Sequence, residues 1–149
     1  MRALLRPIIS GATALLLFGC ANPTKVTVDD AWVRLPAAPG RPGAGYLTIE
    51  GGATDRTLIR VTADYALRSE MHETVRVAGG RMTMRPLASV AVPAGDEVVF
   101  APGGRHLMLH GLDPRAKPGG STLLTLTFED GERLYRKAYI IGAGDPAPD

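Results

Sequence analysis

Residues 71–87 read MHETVRVAGGRMTMRPL, two runs of alternating residues on either side of Gly79-Gly80. Alternation at period two sends successive side chains to opposite faces of a strand, and paired glycines permit a tight reversal. The stretch therefore predicts a β-hairpin. A plain hairpin is satisfied by Thr and Val, yet His72, Met82 and Met84 occupy such positions here. Whether these side chains pack or ligate is the question on which the reading of the rest depends.

The same short period recurs outward in both directions. Strand-like segments fall at 26–35, 44–50, 57–63, 68–77, 81–86, 97–101, 106–110, 121–129 and 133–141. The turn signals PAAPGRPG, EGGATD, PAGD, PGG and EDG separate them. No run of ten or more residues shows helical periodicity between capping signals. The fold class is thus all-β, an antiparallel sandwich or barrel in which closure or two-sheet packing manages the edges.

At the N-terminus, Arg2 and Arg6 precede an apolar run over residues 8–18 that is too short for a permanent bilayer span and reads as an export signal. It ends in Leu17-Phe18-Gly19-Cys20, which resembles a bacterial lipobox, where the Cys is lipidated and becomes the mature N-terminus. The chain then divides into a lipoprotein signal peptide (1–19), a lipidated Cys20 with a tether (20–25), one β domain (26–141) and a Pro/Gly/Asp-rich tail expected to fray (142–149). The roughly 130 residues after the signal suffice for one domain with one core.

Charge and cysteine usage exclude several classes. Removing Arg2 and Arg6 from the 17 basic residues leaves 15, equal to the 15 acidic ones, so the mature chain is formally neutral. No basic run remains to neutralise phosphates, which argues against nucleic acid as a partner. Cys20 is the only cysteine. An internal disulfide is impossible, and a lipidated Cys20 leaves no thiolate for a metal or a nucleophile. No Ser/His/Asp grouping, Walker loop or dinucleotide fingerprint is present, and Asp64, Glu70, Glu73 and Asp96 contain no pair whose spacing marks acid/base work. The chain reads as a binding protein rather than an enzyme. Trp32, Tyr46, Tyr135 and Tyr139 are scattered over separate strands and fit core and belt positions better than a cleft.

The histidines carry the remaining signal. His106 and His110 share HLMLHGL, in which Leu107 and Leu109 point to one face while His106, Met108 and His110 point to the other. Leucines are natural core residues, so the His/Met row faces outward or into a rim. Any one such residue is more often packing than ligand. Together, His106-x-Met108 and a His/Met hairpin without thiolate form a soft to borderline donor set that suits Cu(I) better than Zn(II), Mg(II) or Ca(II).

At this point the chain resembles the periplasmic copper chaperones called PCu(A)C over essentially the whole mature region. Their motif is a His, often beside a Met, then ten residues, Met, twenty-one residues and His-x-Met. Met71-His72 supplies the start, and Met84 followed by twenty-one residues and His106-Leu107-Met108 reproduces the end. The segments DAWVR, AGYLTIEGG, MHETV, MTMRP and PGGRHLMLHGL are similar to that family's blocks. The resemblance implies a cupredoxin-like Greek-key barrel and Cu(I) ligation by His72, Met84, His106 and Met108. Met82 and His110 stand as possible accessory groups. It further implies a lipid-anchored protein of the periplasm in a Gram-negative-type envelope. Its cargo would go to the dinuclear copper centre of the cytochrome c oxidase copper subunit, alongside a second, thiol-bearing chaperone. A cupredoxin-like electron-transfer protein and a lipid-anchored interaction module without metal are the alternatives. The first lacks the Cys ligand that a blue-copper centre needs.

One departure has a structural consequence: eleven residues, not ten, separate His72 from Met84. A two-residue Gly79-Gly80 turn would set Val75 opposite Met84 and Val77 opposite Met82, taking both sulfurs away from His72. An odd-numbered loop, for example Val77-Ala78-Gly79, instead pairs His72 with Met84 and Thr74 with Met82, leaving Val75 and Val77 for the core. The resemblance favours the odd loop. Met71 alternates away from His72 and is expected to pack.

Overall fold

Ten strands account for the regular structure of residues 24–148, the part of the chain that the computed structural model describes. The expected signal peptide and Cys20 lie outside these residues. The strands are β1 (Thr27–Arg34), β2 (Gly43–Glu50), β3 (Arg56–Ala63), β4 (Ala66–Arg76), β5 (Met82–Pro86), β6 (Val90–Val92), β7 (Glu97–Phe100), β8 (Arg105–Leu112), β9 (Ser121–Phe128) and β10 (Arg133–Ile141). Period-two sequence makes them. In β9, STLLTLTF, Thr122, Leu124, Leu126 and Phe128 are buried while the residues between them reach solvent or its margin.

All ten belong to one hydrogen-bonded sheet in the order β5-β4-β8-β7-β2-β1-β10-β9-β3-β6, with β8 also paired to β2. It does not close into a barrel by hydrogen bonds; β5 and β6 are its edges. One apolar cluster draws on Val28, Leu47, Leu58, Met71, Val98, Leu107, Leu124 and Ile140 from eight strands, so the sheet folds over a single core. Burying each Leu of that cluster is worth about 1.5–3 kcal/mol.

The sheet departs from the antiparallel expectation in two places. β1 runs parallel to β10, with Trp32 opposite Tyr139, and β7 meets β8 in parallel at Phe100 and Arg105. Neither pair is joined by a hairpin, and only a hairpin forces opposite directions. The three-residue β6 was not among the expected strands, because VAV between Ser89 and Pro93 is too short to show a period.

The 71–87 hairpin forms, with an odd-numbered loop. Ala78-Gly79-Gly80 make a 3₁₀ turn closed by Val77 N–H to the Arg81 carbonyl at 2.8 Å, and both glycines take positive φ, 80° and 76°. Its centre lies one residue later than expected. The register is therefore shifted by two: Thr74 faces Met84, Arg76 faces Met82, and His72 faces Pro86. Parity survives, so His72 and Met84 share a face, but Met84 is diagonal to His72 rather than opposite it. Val77 reaches the exposed tip and not the core, whereas Val75 is half-buried.

In β1 a bulge between Asp29 and Trp32, with Asp30 at φ 48°, turns Trp32 onto Tyr46, their ring centres 4.3 Å apart. Beyond β10 the first residues of the tail contact β1. Arg34 Nη1 donates to the carbonyls of Ala143 (3.1 Å) and Asp145 (2.6 Å), and Asp145 Oδ2 accepts the Gly142 N–H at 2.6 Å.

Candidate metal centre

β4 and β8 run antiparallel with His72 opposite His106, Glu70 opposite Met108 and Arg68 opposite His110. Paired residues project to the same side of a sheet. One face thus carries Glu70, His72 and Thr74 from β4 beside His106, Met108 and His110 from β8. Met84 joins from the edge strand through its pairing with Thr74. On the other face Leu107 and Leu109 are fully buried, and Met71 is buried beside them. The leucines root β8 in the core and leave its polar row to the opposite side.

A cleft of about 510 Å³ opens on that face, and Thr74, Met84, His106, Met108 and Tyr46 line it with residues 36–38 and 41–42 of the β1–β2 turn and the start of β2. β2 contributes room as well as a wall, since Ala44 is the residue opposite Met108. Met84 is 53% exposed at the rim, while His106 is buried at 8%, deeper than the rim position expected for the row. His72 does not line the cleft; its ring lies beside that of His106, centre to centre 6.0 Å. Two imidazoles bound to one ion at about 2 Å have ring centres roughly 5–6 Å apart. The observed spacing suits a shared ion. Met82, 54% exposed and opposite Arg76, is two pairs farther toward the hairpin tip.

Hydrogen bonds orient the rings. His106 Nδ1 lies 3.0 Å from the Gly104 carbonyl, which also accepts the Thr74 N–H at 3.1 Å. His72 Nε2 lies 3.2 Å from Glu70 Oε2. His110 Nε2 is 3.4 Å from the same oxygen without a hydrogen bond to it, and both His110 Nε2 and His72 Nδ1 are buried without a partner. The hydrogen bond from His72, then the Arg68 charge and the nearby His110 imidazole, hold the Glu70 carboxyl below its ordinary range against partial desolvation. Burial pushes the Tyr46 hydroxyl up.

Among the described residues, His, Cys, Asp and Glu alone assemble no three-ligand metal cluster, so an ion held here needs the methionine sulfurs. The expected His72, Met84, His106 and Met108 do fall on one face. Glu70 and Tyr46 were not singled out as part of the centre. Glu70 lacks a distinctive spacing, and only the β4–β8 register reveals it. Tyr46 and Trp32 are buried, whereas Tyr135 and Tyr139 are more than 60% exposed, so the aromatic residues divide between core and surface.

Known proteins resemble this chain along most of its length. A family model described as "Putative lipoprotein LpqE-like" matches residues 26–138. "Putative lipoprotein Lxx21020" of Leifsonia xyli subsp. xyli (strain CTCB07) is 31% identical over 140 residues, covering 86% of this chain and 84% of the relative. Among solved structures, the copper-bound PCuAC domain from PmoF2 shares the fold, with TM-score 0.64 and 20% identity over 79% of this chain and 93% of that domain. The solution structure of CuI-DR1885 from Deinococcus radiodurans matches with TM-score 0.56 and 25% identity over 78% of this chain and 75% of that one. With its β domain matched almost from end to end, the chain belongs to the LpqE-like family.

Proposed function

We propose that this protein is a copper carrier: His72, Met84, His106 and Met108 hold one Cu(I) on the β4–β8 face and release it to a partner. The observation that carries the reading is that His106, Met84 and Met108 line one open cleft while the His72 ring lies 6.0 Å from that of His106. The shared fold of the copper-bound PCuAC domain from PmoF2 and of CuI-DR1885 supports it. Cu(I) has a filled d shell and accepts three or four soft ligands without strict geometry. A shallow site with an exposed sulfur at its rim then releases the ion stepwise, as an incoming thiolate or thioether replaces Met84 first and the more buried His106 last. The protein performs no chemistry on a substrate.

Export and lipidation at Cys20 place the domain at an envelope membrane, in keeping with the lipoprotein descriptions of its family and relative. Tethering raises its effective concentration near a membrane-bound recipient. That recipient is the copper subunit of cytochrome c oxidase, reached alongside a thiol-bearing chaperone in the periplasm.

Titration with Cu(I) against a competing chelator tests the site. The wild-type protein is expected to withdraw one equivalent. The His106→Ala, Met108→Ala double variant is expected to bind roughly 100-fold more weakly or worse. Equal binding by the two proteins removes the reading.

A further inference from the structure

Two imidazole nitrogens of the centre already have partners, and those partners decide what the rings can offer. A main-chain carbonyl only accepts hydrogen bonds, so the His106 nitrogen facing Gly104 carries a proton on Nδ1 and keeps its lone pair on Nε2. An ionised carboxylate likewise only accepts, so His72 carries its proton on Nε2 toward Glu70 and keeps its lone pair on Nδ1. That His72 Nδ1 is buried with no hydrogen-bond partner. A buried acceptor left unpaired is costly, and a bound cation would relieve that cost.

Glu70 is well placed for this work. Its Oε1 lies 3.5 Å from Arg68 Nε, its Oε2 meets His72, and its strand position sets it opposite Met108. The carboxylate is thus held from behind by a cation while its other oxygen fixes the imidazole. His110 Nε2 lies 3.4 Å from the same oxygen, farther than the 3.2 Å of His72 Nε2.

We infer that Glu70 is a positioning residue of the metal centre, one that makes His72 bind through Nδ1 while the Gly104 carbonyl makes His106 bind through Nε2. The inference rests on the copper-carrier reading and adds to it the atom by which each ring binds. A carboxylate behind a ligand imidazole fixes its tautomer and orientation and raises its basicity, and loss of such a partner lowers metal affinity about 10–100-fold.

The test joins side-chain ¹⁵N NMR of the metal-free protein to Cu(I) competition with a chelator, on wild type, Glu70→Ala and Glu70→Gln. Wild type is expected to show the Nε2–H tautomer at His72 and the Nδ1–H tautomer at His106. Glu70→Ala is expected to lose the single His72 tautomer and about 10–100-fold in Cu(I) affinity. Glu70→Gln, which keeps an acceptor oxygen, should restore the tautomer and most of the affinity. An effect through general destabilisation would not shift one ring's tautomer. A His72 proton on Nδ1 in wild type, or a Glu70→Ala protein that binds like wild type, overturns the inference and leaves the carrier reading standing. Wild-type protein that shows both tautomers yet fails to take Cu(I) overturns the carrier reading and this inference with it.

Discussion

At the scale of single residues, the two methionines of β5 occupy different places. Met84 sits opposite Thr74 and lines the cleft, whereas Met82 sits opposite Arg76 near the tip, and both side chains are about half exposed. Leucine preserves their bulk and removes the sulfur, and exposed positions tolerate such exchanges within about 0.5 kcal/mol. Met84→Leu is therefore expected to fold as wild type and to lose roughly tenfold or more in Cu(I) affinity, while Met82→Leu keeps it, both read by chelator competition. The His106-x-Met108 row was legible because alternation around Leu107 and Leu109 assigns faces without knowledge of the fold. Glu70 was not legible, because its contact with His72 has meaning only once the imidazole faces a second strand.

At the scale of elements, the hairpin shows what alternation can and cannot specify. Patterning sets which side chains share a face; it is blind to a slip of two residues, which preserves every face. That is the slip observed between the expected His72–Met84 pair and the actual Thr74–Met84 pair. The turn decides the register, and it does so through Gly79 and Gly80, both at positive φ with open space where a Cβ would stand. An L-residue there meets backbone strain alone, about 1–2 kcal/mol. Gly80→Ala is expected to lower stability by up to about that amount in urea unfolding, with the hairpin amides losing the most protection in hydrogen exchange. A larger, global loss would mean that the tip packs on the domain. Elsewhere, strand boundaries in the sequence agree with the fold to within a residue or two over most of the sheet; β10 coincides fully at 133–141.

At the scale of the whole molecule, the all-β class followed from the absence of any helical period, and the sheet order did not. β1 and β10 lie at opposite ends of the domain yet pair in parallel, a contact between residues more than a hundred positions apart that no local pattern encodes. The same long-range assembly creates the centre. β4 and β8 pair although three strands lie between them in sequence, and the turn at Pro102-Gly103-Gly104, which leads from β7 into the parallel β8, supplies the carbonyl that orients His106. The core lies under one face of β8 and the donor row stands on the other, so the fold can present soft ligands without lining its interior with polar groups. The measurement that bears most directly on this arrangement is X-ray absorption at the copper edge of the Cu(I)-loaded, full-length protein. Two nitrogen and two sulfur scatterers around one copper are the predicted result; a shell of nitrogen and oxygen with no sulfur would contradict it.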